Sequence, residues 1–184
     1  DWSNGLEFIE EEKEAAAQLE GIFLFAMTWS ICASVDGPGR AKMNDFVKEC
    51  TAGTVPPPYN EEGERGSYMI NNPFPKEGNI YQYHFDKAKG KWGLWTGLIS
   101  HEPYPATKEP HEIIVPTIDT TRYTFWLDKC CRNATLNHKL NRMAFMLVGP
   151  TGTGKTVYIN NHLLQGLEPE KFSNIGLGFS AQTT

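Results

Sequence analysis

The sequence predicts an α/β fold with a helical subdomain, in which helices and a small antiparallel β hairpin precede an incomplete parallel-sheet domain. Apolar residues recur with helical spacing in the first 55 residues, and aromatic residues alternate with polar ones at 81–85. The wholly apolar run Met143–Val148 is followed by a glycine-rich loop and a further helical pattern. The 184 residues are 40% hydrophobic and 21% charged, which is typical of a globular chain.

The N-terminal segment is predicted to form two helices. Leu6–Ala33 is rich in strong helix formers, with a bend at Gly21, and a turn at Asp36–Gly39 follows. Its longest apolar stretch, Ile22–Ala33, has 12 residues. A membrane span needs about 20, so this stretch is predicted to be a buried core helix. The apolar residues of the second helix recur at i, i+3, i+4 and i+7, at Met43, Phe46, Val47 and Cys50.

A β hairpin is predicted between residues 81 and 95. Tyr81, Tyr83 and Phe85 occupy alternate positions, as expected of a half-buried strand. Asp86–Gly90 supplies turn-forming residues, and Lys91–Trp95 forms the returning strand.

Composition divides the chain into three expected parts. Residues 1–55 form the helical subdomain, 56–103 a loop and hairpin connection, and 104–184 the start of the sheet domain. Thr51–Gly66, with three consecutive prolines and a run of charges, is predicted to be an exposed loop.

A helix is predicted after the prolines that follow residue 103. Asp119, Thr120 or Thr121 is expected to cap it, and its apolar residues extend to Cys130. Beyond it we predict a buried parallel strand, a helix and a second, weaker strand, at Met143–Val148, 155–165 and Ile175–Phe179.

One motif carries chemistry. The residues between the predicted strand and helix match GxxxxGK[ST], the phosphate-binding loop (P-loop). Glycines allow backbone N–H groups to approach a phosphate closely, and the following helix directs its positive end at the anion. Lys155 is expected to reach the β- and γ-phosphates of ATP or ADP, and Thr156 to ligate Mg²⁺. The predicted phosphate-binding residues are Gly149, Pro150, Thr151, Gly152, Thr153, Gly154, Lys155 and Thr156.

Hydrolysis of the bound nucleotide requires further residues beyond the P-loop. A P-loop ATPase also needs an apolar strand that ends in acidic residues, to hold Mg²⁺ and orient water. The 28 residues after Thr156 form no such strand. We therefore expect this chain to contain no catalytic residue, to bind nucleotide weakly and not to hydrolyse it. The remainder of the site is expected beyond Thr184.

Other function classes are disfavoured by composition. The net charge is −5 and no Lys/Arg run occurs, so nucleic-acid binding is not expected. The four cysteines form no CxxC pair, which predicts four reduced thiols in a cytosolic protein. His101, His111, His138 and His162 lack the spacing of metal ligands.

Longer segments resemble a known family. GPTGTGKTVYINNHLL and the preceding EIIVPTIDTTRYTFWLD are similar to the third AAA+ module of dynein heavy chains. QLEGIFLFAMTWSICASVD and KMNDFVKE resemble the end of the second module, and NIYQYHFDKAKGKWGLW resembles the hairpin-bearing connection between the two. The resemblance covers nearly the whole chain and is strongest to axonemal heavy chains. Lys129–Arg142 is longer than the usual connection in this family.

The resemblance implies a function, a set of partners and a cellular location. Val115, Pro116 and Thr117 match the segment that lines the adenine. The third module is generally a regulatory ATP site of an ATP-driven microtubule motor. Implied partners are the neighbouring AAA+ modules, dynein intermediate and light chains, and microtubules. The implied location is the cytoplasm and cytoskeleton, in the axoneme of a cilium or flagellum. Two alternatives stay open: a stand-alone P-loop NTPase or kinase, and a non-catalytic ring-scaffold segment.

Overall fold

The computed structural model describes residues 12–55, 62–63, 70–101, 113–132, 144–170 and 172–179. The chain divides into two compact units, which we call the N-terminal unit (to Leu98) and the C-terminal unit (from Ile99). The three-part division predicted from composition stays a prediction.

Both predicted helices of the N-terminal unit are present. Helix α1 spans Glu12–Ser30 and a 3₁₀ turn spans Cys32–Ser34, while predicted helical residues 6–11 lie outside the described ranges. Helix α2 spans Gly37–Thr51, so the glycine- and proline-rich stretch predicted as a turn forms the first turn of this helix. Asp36 caps it, because its Oδ1 accepts a hydrogen bond from the Gly39 N–H at 2.8 Å.

The hairpin is confirmed. Strand β1 spans Tyr83–Asp86 and strand β2 spans Lys91–Leu94, paired antiparallel with Phe85 opposite Trp92 and His84 opposite Gly93. Tyr83 and Phe85 are buried, as the alternation predicted. Tyr81 lies just before the strand in a 3₁₀ turn, and its hydroxyl donates to the Cys32 carbonyl at 2.6 Å.

The core of the N-terminal unit is aromatic. Trp95 is 0% exposed, and its ring centroid lies 5.7 Å from Trp29, 6.2 Å from Phe25 and 5.3 Å from His84. Because α1 and the end of the hairpin share this cluster, burial of these rings joins helix to sheet. A neighbouring group of buried residues comprises Leu24, Cys32, Val47, Phe74, Ile80 and Tyr81.

Two charged side chains attach the segment 70–79 to the helices. The Glu20 carboxylate accepts hydrogen bonds from the backbone N–H groups of Asn71 and Asn72, at 2.6 and 3.1 Å. On the other side, the Lys48 ammonium donates to the Lys76 and Gly78 carbonyls at 2.8 and 2.6 Å. Such charge-assisted bonds to backbone groups are stronger than neutral ones, so they hold an irregular segment in place.

The first helix also meets a simple test for a membrane span. Lys13–Ser34 is long and apolar enough to cross a bilayer by length and composition, and is longer than the 12-residue stretch counted from sequence. A single such helix is weak evidence, since core helices pass the same test. Leu24, Phe25 and Thr28 of this helix are buried among protein atoms, which supports its interpretation as a core helix.

The C-terminal unit contains two helices among its described residues. Helix α3 spans Ile118–Arg132, and helix α4 spans Lys155–Asn161 and continues as a π turn over His162–Gly166. The N-cap predicted at Asp119, Thr120 or Thr121 is wrong, although Thr120 takes part in the capping from inside the helix by accepting from the Thr117 N–H. The helix begins one residue earlier, and Thr117 caps it by accepting from the Thr120 N–H at 3.2 Å.

The two predicted strands of the C-terminal unit are absent from the residues described. Residues 144–148 and 175–179 belong to no sheet, and Met143 lies outside the described ranges. A strand needs a neighbour to pair with its N–H and C=O groups, and no described segment of this unit supplies one. Most apolar side chains of both segments are consequently exposed, with Met146 and Phe179 each at 84%, while Leu147 is half-buried.

Stability of the N-terminal unit is expected to depend on the protonation of His84. Burial lowers the pKa of this imidazole below its usual 6.5, against an opposing upward effect of Asp86 and a further lowering by Lys89. The neutral form is favoured in the folded state, so this contribution is complete above pH 6.5 and is lost as the pH falls through the folded pKa. Urea unfolding midpoints measured between pH 5 and 8 should therefore fall on acidification.

His84→Phe should flatten that profile, whereas His101→Gln should not, because His101 is exposed and belongs to the C-terminal unit. An unchanged profile in His84→Phe would assign the pH dependence to other groups.

Candidate phosphate-binding site

The glycine-rich loop has the backbone conformation that its sequence requires. Gly152 and Gly154 both have positive φ angles, 83° and 77°. Residues other than glycine rarely adopt this region, which explains the glycine at 154, a fixed position of the motif, and the glycine at 152, a variable one. Gly154 is the N-cap of helix α4, which begins at Lys155 as the motif predicted.

The Lys155 side chain folds back over the loop. Its ammonium donates to the Gly149 carbonyl at 2.9 Å, to the Pro150 carbonyl at 2.6 Å and to the Thr153 hydroxyl at 3.2 Å. The Thr153 hydroxyl in turn donates to the Pro150 carbonyl at 2.9 Å. Hydrogen bonds thus join four of the eight predicted phosphate-binding residues, Gly149, Pro150, Thr153 and Lys155.

The residues present fit a magnesium–nucleotide complex in their chemistry. Thr156 is exposed in the first turn of α4, so its hydroxyl is accessible as an oxygen ligand, the type that Mg²⁺ prefers. Lys155 supplies the positive charge beside it. No cluster of three or more His, Cys, Asp or Glu side chains suited to a metal occurs among the described residues.

A cavity of about 280 Å³ opens beside the loop, and its aromatic wall was not predicted from the sequence. Tyr123 of α3 and Tyr158 of α4 line it, with ring centroids 5.8 Å apart. Tyr158 follows Gly154 by four residues, so the two share a helix face, and a Cβ on Gly154 would lie 3.3 Å from the tyrosine ring. The four-residue spacing between Gly154 and Tyr158 is the feature of the sequence that could have predicted a tyrosine beside the loop. The remaining lining residues are Met146, Leu147, Val148, Thr153 and Lys155.

The segment predicted to line the adenine has a structural role in part. Thr117 and Thr120 cap helix α3 reciprocally: the Thr117 N–H donates to the Thr120 hydroxyl at 2.6 Å, and the Thr120 N–H donates back to the Thr117 hydroxyl. Val115 is 61% exposed and Pro116 is half-buried. Contact of Val115, Pro116 and Thr117 with adenine stays a prediction.

The cysteines are not joined by disulfides, in agreement with the predicted reduced thiols. Cys32, Cys50, Cys130 and Cys131 form no disulfide. Burial raises the pKa of the Cys32, Cys130 and Cys131 thiols, which keeps them protonated and poorly nucleophilic.

A P-loop beside two helices, preceded by a unit of helices and a hairpin, defines a P-loop nucleotide-binding module joined to a helical lid. Family comparisons agree with this division. Residues 3–97 match the dynein heavy chain AAA lid domain, and residues 102–184 match the P-loop containing dynein motor region. The chain therefore belongs to the dynein heavy chain family.

Individual relatives are axonemal and flagellar heavy chains. Dynein axonemal heavy chain 12 of Rattus norvegicus is 34% identical over 170 residues, 90% of this chain. Dynein axonemal heavy chain 3 of Homo sapiens is 33% identical over 172 residues, also 90% of this chain. The Dynein-1-beta heavy chain of the flagellar inner arm I1 complex of Chlamydomonas reinhardtii is 28% identical over 88% of the chain. The chain spans only 5%, 4% and 3% of these relatives, respectively.

Proposed function

We propose that this chain supplies the phosphate-binding part of a regulatory ATP or ADP site in the AAA+ ring of an axonemal dynein heavy chain. Residues 1–55 would end the second module, 56–103 would connect the modules, and 104–184 would begin the third. The single observation that carries the proposal is the P-loop, in which Gly152 and Gly154 have positive φ immediately before Lys155. Similarity of 102–184 to the dynein motor region supports it.

Different residues are proposed to bind different parts of the nucleotide complex. Loop N–H groups between Gly149 and Gly154, except at Pro150, which has none, are assigned to the phosphates, and Lys155 neutralises charge on the β- and γ-phosphates. The Thr156 hydroxyl is the proposed Mg²⁺ ligand, and Val115–Thr117 the proposed adenine contact. When bound, Mg²⁺ neutralises phosphate charge.

The whole protein would be an ATP-dependent microtubule motor of cilia or flagella. The names of the relatives support an axonemal place. The proposed partners are neighbouring AAA+ modules of the same heavy chain, dynein intermediate and light chains, and microtubules. Nucleotide at this site would regulate the motor by changing how the third module packs on its neighbours.

Replacing Lys155 by alanine in the full heavy chain tests the site. A hydrogen bond to a charged group contributes about 1.5–3 kcal/mol, so affinity for ADP or ATP at this site should fall about 10- to 150-fold. Equilibrium binding of a fluorescent nucleotide, with the other sites inactivated, measures this. Lys42→Ala is the matched control, because Lys42 is an exposed helical lysine of the N-terminal unit.

Equal binding by the Lys155→Ala and wild-type chains would contradict the proposed site. If binding is lost but the rate of microtubule release by the motor is unchanged, the site binds nucleotide and does not regulate.

A further inference from the structure

An aromatic contact joins the two helices of the C-terminal unit next to the glycine-rich loop. The ring centroids of Tyr123 in α3 and Tyr158 in α4 lie 5.8 Å apart, with the ring planes inclined by 49°. Rings at this separation attract each other. Tyr158 is half-buried and Tyr123 is 49% exposed, so Tyr123 can be substituted with little direct cost to the packing of this unit.

Tyr158 connects this contact to the end of the loop. Its backbone N–H donates to the Gly154 carbonyl at 3.0 Å. Its ring lies against the same glycine, where an added Cβ would be 3.3 Å from Tyr158 Cε2. Both the backbone and the side chain of Tyr158 therefore fix its position relative to the loop.

Tyr123 connects the contact to the proposed adenine-binding segment. It lies in the second turn of α3, and the start of that helix is held by the reciprocal cap between Thr117 and Thr120. Val115, Pro116 and Thr117, the proposed adenine contact, lead directly into this cap. Because a helix is a stiff element, the position of Tyr123 determines where the cap and the attached segment lie.

We propose that the contact between Tyr123 and Tyr158 sets the separation between the adenine-binding segment and the phosphate loop. This inference rests on the proposed nucleotide site and adds two positioning residues to it. Neither tyrosine is assigned a contact with the nucleotide.

The separation matters because both parts of the site bind one ligand. ADP reaches its full affinity only if the two parts are held at the distance between its base and its phosphates. Without the aromatic contact, α3 and α4 can take other relative positions, and apparent affinity falls with the fraction of molecules at the right separation. Inorganic pyrophosphate uses the phosphate loop alone, so its affinity does not depend on that separation.

Tyr123→Ala in the full heavy chain, with the other nucleotide sites inactivated, tests this selective effect. Displacement of a fluorescent ADP analogue by unlabelled ADP and by magnesium pyrophosphate gives both dissociation constants. The energy of an aromatic pair corresponds to a weakening of ADP binding of about two- to tenfold. Pyrophosphate binding should match wild type, which also shows that the loop of the variant is intact.

Two variants of α3 serve as controls. Tyr123→Phe keeps the ring and should bind ADP as the wild-type chain does. Thr124→Ala changes the neighbouring residue, which is exposed, and should leave both dissociation constants unchanged.

A double-mutant cycle with Tyr158→Ala separates positioning from direct contact with the base. One contact can be lost only once, so the double variant should lower the ratio of ADP affinity to pyrophosphate affinity no further than the more severe single variant. Additive losses in this ratio would mean that each ring acts on the nucleotide independently, and would overturn the inference.

The remaining outcomes are equally decisive. Equal losses for ADP and pyrophosphate in Tyr123→Ala would indicate a purely structural role, and unchanged ADP binding would indicate no role; both overturn the inference and leave the proposed site intact. A Tyr123→Phe variant as weak as Tyr123→Ala also overturns it, since the ring would not be the group that matters. Failure of the wild-type site to bind either ligand would overturn the proposed function, and this inference with it.

Discussion

Trp95→Ala is expected to cost about 3–5 kcal/mol of unfolding free energy, the range for deleting a large buried aromatic side chain. The indole is 0% exposed and contacts Phe25 and Trp29 of helix α1 and His84 of the hairpin. Removing it leaves a cavity where helix and hairpin meet, and the surrounding rings are too rigid to fill it. Urea unfolding of the full chain followed by far-UV circular dichroism measures the loss.

Two variants calibrate that result. Trp95→Phe keeps an aromatic ring in the cluster and should lose clearly less stability than Trp95→Ala. Phe23→Ala removes a ring that is 66% exposed on helix α1, so its effect should stay within about 0.5–1 kcal/mol. If Phe23→Ala were as damaging as Trp95→Ala, the aromatic cluster would not be the principal core of this unit.

Local patterns predicted the N-terminal unit well. The i, i+4 spacing of Met43 and Val47 and the alternation of Tyr83 and Phe85 each depend on contacts within a few residues or across one turn. The strands predicted in the C-terminal unit are absent from its described residues for the complementary reason. The apolar run 144–148 has strand-like composition, but strand formation depends on a partner from elsewhere, and composition carries no information about that partner.

The phosphate loop was predictable, and its surroundings were only partly so. The motif located Lys155 and Gly154, a fixed position where the positive φ requires glycine, while Gly152 lies at a variable position of the motif. It did not predict that the Lys155 ammonium turns back onto the loop, which depends on side-chain rotamers. The pairing of Tyr123 with Tyr158 joins two helices and was likewise out of reach of local patterns.

Gly21→Leu should destabilise the N-terminal unit by about 3 kcal/mol, although helix propensity alone predicts a gain of nearly 1 kcal/mol. The sequence suggested a bend at Gly21, but helix α1 runs through it. The glycine instead allows close approach to the hairpin, because a Cβ there would lie 2.2 Å from Phe85 Cε2 and 2.4 Å from Phe85 Cζ. The Phe85 ring is 4% exposed and packs 5.1 Å from Trp92, so it has little room to move aside.

A double-mutant cycle with Phe85→Ala separates the effect of the steric contact with Phe85 from the effect of helix propensity at position 21. Phe85→Ala alone should cost about 3–5 kcal/mol through the cavity it leaves, and the leucine of Gly21→Leu can occupy part of that space. The double variant should therefore lose about 1–3 kcal/mol less than the sum of the single losses, the range for residues in direct contact. Additive losses would mean that the helix and the hairpin do not meet at Gly21. A stabilised Gly21→Leu variant would mean that propensity, and no steric contact, governs this position.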